Sequence, residues 1–151
     1  MSQHEVEQLL QQADEAQDAG NLTEAEELCR QVFQRDPSNV IAYKRLGSLL
    51  IRRKQVDEAI ALYRLAIDRN PEDPRPYIVL AETLIHQDKI GEGIALYHQA
   101  IQLDPDNPNI QFLLKDAERK KESLKPKAAD TAFRLASSHR SSPAIDAGKK
   151  G

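Results

Sequence analysis

The segment Ala61-Leu62-Tyr63-Arg64-Leu65-Ala66-Ile67 decides the fold of this chain, because a near copy of it lies 34 residues further on. The second segment, Ala95-Leu96-Tyr97-His98-Gln99-Ala100-Ile101, is identical at five of the seven positions. The same shift superimposes further pairs outside these segments: Tyr43 and Tyr77, Leu46 and Leu80, Leu50 and Leu84, and Pro71 and Pro105. Self-similarity at a fixed period of this length indicates a protein built from stacked copies of one structural unit.

Each copy is predicted to form two helices. In the middle copy, apolar and small residues recur at helical spacing in two runs: Tyr43, Leu46, Gly47 and Leu50, then Val56, Ala59, Ile60, Tyr63, Ala66 and Ile67. Small residues fall where the two helices of a copy would approach each other: Ala13 and Ala25, Gly47 and Ala59, and Ala81 and Gly93. Helix axes that pack about 8–10 Å apart require small side chains at the contact. The pattern therefore predicts an all-α fold.

Each copy closes with an acidic or amide residue followed by proline: Asp36-Pro37, Asn70-Pro71 and Asp104-Pro105. Proline lacks an N–H and disfavours helix in the residue before it, so it ends the second helix of the copy. Ser38, Asp73 and Asn107 are then placed to cap the next helix. These stops divide the chain into copies at residues 6–37, 40–71 and 74–105, followed by a single helix at 107–123.

These residues give the chain a resemblance to the tetratricopeptide repeat family. The middle copy supplies the family's aromatic, small and proline positions: Tyr43, Leu46, Gly47, Ala59, Tyr63, Ala66 and Pro71. The third copy supplies the same set: Tyr77, Leu80, Ala81, Gly93, Tyr97, Ala100 and Pro105. The first copy departs from the pattern with Leu9, Gln12, Cys29 and Val32. The resemblance implies a repeat domain over 3–123, an α-solenoid of three helix–turn–helix repeats plus a C-terminal capping helix.

Composition and charge divide the chain into an acidic body and a basic tail. Residues 1–123 carry a net charge of −7, and residues 124–151 carry +4. An acidic body argues against general nucleic-acid binding. Low hydrophobicity predicts disorder for the tail over 124–151. Within it, Ala132-Phe133-Arg134-Leu135-Ala136 is alternatively a short docking motif.

The start of the chain is polar, and no apolar run approaches the roughly 20 residues that cross a bilayer. A single cysteine, Cys29, excludes an internal disulfide. These features predict a soluble, cytoplasmic protein with no membrane partner.

The resemblance implies a concave face, lined by the first helix of each repeat, on which family members typically hold a peptide. Twelve residues fall on this face: Leu10, Ile41, Lys44, Arg45, Ile51, Arg52, Arg75, Ile78, Val79, Glu82, Ile85 and Phe112. Their apolar members would form a floor and their four cations a basic patch. An apolar floor beside cations predicts a partner segment that carries apolar and acidic residues. The alternative is that some of the isoleucines pack against neighbouring helices and never meet a partner.

One specialised binding mode of the family is not expected here. The subtype that clamps the C-terminal carboxylate of heat-shock chaperones requires lysine, asparagine and arginine at set positions of successive repeats. Two registers are possible on this chain, and they supply Leu10, Asp14, Arg45, Arg75 and Val79, or Lys44, Ser48, Val79, Asn109 and Leu113. Neither register rebuilds the clamp, so a chaperone tail is not the predicted partner.

The sequence contains no motif for catalysis, cofactor binding or metal binding. The four histidines are not paired at ligand spacing, and Cys29 is expected in the core. There is no glycine-rich phosphate loop and no nucleophile elbow. The prediction is an interaction adaptor or assembly factor that is not an enzyme. Two alternatives stay open: a structural protein that self-associates through its repeats, and nucleic-acid binding through the tail.

Overall fold

The computed structural model describes residues 1–125, and the helix is the regular secondary structure of that part of the chain. Seven helices follow one another: α1 Gln3–Asp18, α2 Leu22–Arg35, α3 Val40–Arg52, α4 Val56–Arg69, α5 Pro74–His86, α6 Ile90–Leu103 and α7 Pro108–Leu124. The predicted all-α solenoid is confirmed, with two helices in each of the three repeats. Residues 126–151 lie outside the described residues, so the predictions of a disordered tail and of a docking motif at 132–136 stay predictions.

Residues 1–117 form one compact unit, which contains the three repeats and the first part of α7. Helices α1 to α5 each pack against the next helix along the chain, and α3 also packs against α5. Contacts restricted to sequence neighbours and to equivalent helices of adjacent repeats are typical of a solenoid. The second unit begins at Glu118, and its described part continues α7 to Leu124 with exposed side chains.

Two main clusters of buried side chains hold the first unit together, beside a minor one of Ala16, Ala25 and Leu49. The larger one runs from α1 to α5 and is built around the fully buried Tyr43, Leu46 and Leu50 of α3. The smaller one joins α5, α6 and the start of α7 through Tyr97 and Ile110. Because each helix turns an apolar stripe inward, the clusters follow the helical spacing of the sequence.

Cys29 lies in the core of the first repeat, where the other repeats have a tyrosine. Its side chain is buried among the larger cluster, as expected from the sequence. Burial raises the pKa of the Cys29 thiol, an effect that outweighs the opposing effect of nearby Arg45. The first repeat therefore packs with a smaller residue at this position.

The turn inside each repeat places one residue in the left-handed region. Gly20, Lys54 and Asp88 are equivalent by the 34-residue shift and have φ of 80°, 63° and 64°. In the middle repeat, the N–H of Gln55 donates to the carbonyl of Leu50 at 2.8 Å. This is the bond that a left-handed residue makes possible at a helix end.

Polar residues cap most of the helices. Asp73 caps α5, and Asn107 accepts a hydrogen bond from the N–H of Asn109 at the start of α7. Asn39 rather than Ser38 caps α3, because its side chain accepts from the N–H of Ala42. The expectation for Ser38 was wrong by one residue. Its hydroxyl bonds the carboxylate of Asp36 in the preceding turn instead.

Candidate protein-binding concavity

A concavity of about 510 Å³ lies between α3, the first turn of α4 and α5. Eleven residues line it: Lys44, Ser48, Ile51, Arg52, Val56, Tyr63, Val79, Glu82, Thr83, His86 and Gln87. Most of these residues belong to α3 and α5, the first helices of the middle and third repeats. The family resemblance assigns these two helices to the concave face.

The floor of the concavity is mainly apolar. Ile51, Val56 and Val79 contribute aliphatic side chains, and Tyr63 contributes its ring from α4. Tyr63 reaches the floor because Gly47 has no side chain: a Cβ at Gly47 would overlap the phenol hydroxyl. Burial, with a smaller contribution from Glu82, raises the pKa of Tyr63 to about 12, so the phenol stays neutral.

The charged groups of the concavity are divided between its two walls. Lys44 and Arg52 lie on α3, and no ion pair within the described residues neutralises either of them. Glu82 and His86 lie on α5, one turn apart. His86 Nδ1 is 2.7 Å from the carbonyl oxygen of Glu82, and since a carbonyl only accepts, that nitrogen carries the proton. The α3 wall is therefore cationic, and the α5 wall carries the carboxylate of Glu82 beside His86.

Five of the twelve residues expected on the concave face line this concavity: Lys44, Ile51, Arg52, Val79 and Glu82. The other seven lie elsewhere. Leu10 is 8% exposed and belongs to the larger core cluster, so it offers little surface. Ile41 is 50% exposed and lines a separate depression with Leu10 near the start of α1. The twelve predicted residues thus lie in more than one depression.

Two of the four predicted cations are engaged within the chain. Arg45 Nη1 lies 2.6 Å from Asp14 Oδ1 and also donates to the carbonyl of Leu10 at 3.1 Å. Arg75 holds Asp73 through several hydrogen bonds, with Nη2 2.7 Å from Oδ2. Hydrogen bonding to Arg75 keeps the pKa of the Asp73 carboxyl below its usual value, against the opposing effect of burial. Of the four predicted cations, only Lys44 and Arg52 have no ion pair within residues 1–125.

The remaining apolar residues of the set also divide. Ile78 lies with Arg75 in a depression among the loops that join the repeats. Ile85 is half-buried and packs on the smaller core cluster, beside Gly93. The alternative that some isoleucines pack against neighbouring helices therefore applies to Ile85. Phe112 is 60% exposed on α7.

Sequence reasoning did not place Val56, Tyr63, Thr83 and Gln87 at the site. Thr83 donates its hydroxyl to the carbonyl of Val79 at 2.8 Å, and the side-chain oxygen of Gln87 is buried without a hydrogen-bond partner. The sequence feature that could have placed Tyr63 at the site is Gly47, because a glycine opposite a tyrosine leaves room for the ring to pass over it. Val56 and Gln87 depend on how the turns fold back, which spacing alone does not reveal.

Within residues 1–125 there is no group of three or more histidine, cysteine or carboxylate residues that could hold a metal ion. None of the helices in the same range is long and apolar enough to cross a membrane.

Comparisons with known proteins agree on the family. Two tetratricopeptide repeat profiles match residues 10–74 and 50–115, and together they span 106 of the 151 residues. No curated protein matches the sequence.

Among solved structures, a mutant O-GlcNAc transferase of Thermobaculum terrenum is similar at 29% identity and a TM-score of 0.58, over 74% of this chain. This chain spans only 22% of that protein. The type III secretion chaperone SycD of Yersinia enterocolitica, in complex with a peptide of the translocator YopD, is 21% identical over 80% of this chain and 97% of its own, with a TM-score of 0.63. The repeat domain of Sgt2 from Aspergillus fumigatus is 18% identical over 82% of this chain and 86% of its own, with a TM-score of 0.66.

Proposed function

Because the chain belongs to the tetratricopeptide repeat family, we propose that it is an interaction adaptor or assembly factor that binds a segment of a partner protein between α3 and α5. The observation that carries the proposal is the pair of unneutralised cations, Lys44 and Arg52, on the wall of an apolar concavity. SycD holds a peptide of YopD, which makes a peptide ligand plausible for this fold. The proposed role is non-catalytic, and it does not include the activity of the transferase.

The chemistry of the site defines the segment. Its volume of about 510 Å³ lies within the range of about 300–1,000 Å³ that ligand pockets occupy. An aliphatic or aromatic side chain over Ile51, Val56 and Val79 would supply affinity by burial. An acidic side chain near Lys44 or Arg52 would orient the segment and speed association.

The test starts from a random peptide library displayed on phage, because the partner is unidentified. Wild-type chain is the bait, and the most enriched peptide is then synthesised and titrated by calorimetry. Lys44→Glu with Arg52→Glu reverses both cations. Arg64→Glu with Arg69→Glu is the matched control, because it makes the same charge change at exposed positions of α4.

We expect enriched peptides to combine an apolar residue with an acidic one. The Lys44/Arg52 variant should bind the synthetic peptide at least tenfold more weakly, and the Arg64/Arg69 control should retain affinity to within about twofold. Both should keep their helical circular dichroism. Equal affinity of the two variants, or no enrichment on wild-type chain, would contradict the proposal.

Self-association is the competing explanation for an exposed apolar face. Sedimentation velocity at several concentrations tests it, because a monodisperse monomer would exclude self-association. Concentration-dependent assembly that the added peptide does not disturb would favour the structural role instead.

A further inference from the structure

The ion pair between Asp14 and Arg45 occupies the space between α1 and α3, which we call the first junction. Arg45 Nη1 lies 2.6 Å from the Asp14 carboxylate and 3.1 Å from the carbonyl oxygen of Leu10. The two acceptors, the Asp14 carboxylate and the Leu10 carbonyl, belong to α1, whereas the guanidinium belongs to α3. The arginine side chain therefore bridges the leading helices of the first two repeats.

One repeat later, the same two positions hold Ser48 and Val79. These residues lie in the second junction, between α3 and α5, and both line the concavity. Neither side chain is long enough to bridge two helices, so no side chain occupies the space that Arg45 fills in the first junction. Equivalent positions thus leave one junction bridged and the other open.

The cation that orients a partner is also specific to the second junction. The position of Lys44 on α3 corresponds to Leu10 on α1, and Leu10 is buried. At the positions equivalent to Ser48, Val79 and Lys44, the first junction is therefore filled by the ion pair and lacks an exposed lysine. The depression that Leu10 and Ile41 line lies nearer the start of α1.

We infer that the residues equivalent to Asp14 and Arg45 determine which junction binds a partner, an inference that rests on the proposed function. The ion pair excludes a partner segment from the first junction, and Ser48 with Val79 admits it to the second. Lys44 and Arg52 are eight residues apart on α3, a rise of about 12 Å. An extended segment covers this distance with about four residues, so a partner that contacts both cations carries two acidic residues about four residues apart.

The experiment transfers each arrangement to the other junction without changing the net charge. Ser48→Asp with Val79→Arg builds the ion pair in the second junction. Asp14→Ser with Arg45→Val opens the first junction. Ser48→Gln is added as a milder variant, because Ser48 is exposed and its enlargement should leave the core intact. The probe is the synthetic peptide enriched on wild-type chain.

The Ser48/Val79 variant is expected to bind this peptide at least tenfold more weakly, and Ser48→Gln several-fold more weakly. The Asp14/Arg45 variant should keep wild-type affinity at the second junction. Wild-type affinity in folded Ser48/Val79 and Ser48→Gln variants would overturn the inference while leaving the proposed function standing. Loss of binding only in the Asp14/Arg45 variant would also overturn it, since the peptide would then lie on α1. A wild-type chain that enriches no peptide would refute the proposed function itself.

Discussion

The middle and third repeats both have one glycine and one alanine where their two helices meet, but the two residues are exchanged between the helices. The middle repeat has Gly47 on its first helix and Ala59 on its second, whereas the third has Ala81 and Gly93. Each glycine admits a different neighbour. Tyr63 passes over Gly47, and Ile85 packs onto Gly93, where a Cβ would also lie 3.0 Å from the carbonyl oxygen of Ala81.

The exchange affects the surface as well as the core. Ile85 packs into the third repeat because Gly93 leaves space for it. Its equivalent, Ile51, is 38% exposed in the concavity, and the position equivalent to Gly93 is Ala59. We expect the methyl group of Ala59 to keep Ile51 from packing inward as Ile85 does. The predictions below test this difference, beginning with the largest effect.

Gly47→Ala should lower the free energy of unfolding by about 3 kcal/mol, as expected for overpacking. The added methyl group overlaps the hydroxyl and ring of Tyr63, which core packing prevents from moving. Urea unfolding followed by circular dichroism measures the loss. Tyr63→Cys with Gly47→Ala imports the combination of the first repeat, Ala13 with Cys29. A double-mutant cycle should give a coupling of at least about 1 kcal/mol, and additive effects would show that the two side chains do not compete for space.

Gly93→Ala should cost less, about 1–2 kcal/mol, because Ile85 is a flexible side chain at the edge of the core. The displaced Ile85 side chain should become more exposed, as Ile51 is in the middle repeat. Ile85→Ala in the same chain removes the obstructing group, so adding Gly93→Ala to that background should have little further effect. A full loss in both backgrounds would attribute the cost to the carbonyl of Ala81 instead.

Lys54→Gly should raise the free energy of unfolding by about 1 kcal/mol, because a lysine at φ 63° is strained and glycine is not. Asp88→Gly in the third repeat should gain less, since aspartate tolerates the left-handed region better than lysine. Parallel thermal and urea melts of the two variants provide the comparison. An equal gain at both sites would show that the turn strain does not depend on the side chain.

Gly91→Asp should have the smallest effect, a stabilisation of about 0.5 kcal/mol. Gly91 is exposed in the first turn of α6, has open space around it, and corresponds to Asp57 in the middle repeat. Aspartate restricts the unfolded chain and interacts favourably with the helix N-terminus. Gly91→Ala separates the two causes, because alanine retains only the conformational part. A larger gain with alanine than with aspartate would exclude the charge effect.

Much of the fold and part of the site could be predicted because they depend on residues that act locally. The prolines at 37, 71 and 105 end helices through their own covalent geometry, whatever surrounds them. Lys44, Ile51 and Arg52 were expected on the concave side because the family resemblance places these repeat positions there, and helical spacing puts them on one face of α3. The engagement of Arg45 by Asp14 could not be predicted, since it depends on the distance and angle between two helices that are separate in sequence.

The sequence by itself determined the repeat, its period, the all-α solenoid and the divergence of the first copy. These follow from periodicity, from small residues at helix contacts and from prolines at helix ends. Only the tertiary structure decided which cations lack an ion pair, which isoleucine packs on the core and which junction is open. The physical reason is that a side chain on a known face can still reach across to the next helix, as Arg45 does, or pack inward, as Ile85 does. The choice depends on how much space its neighbours leave.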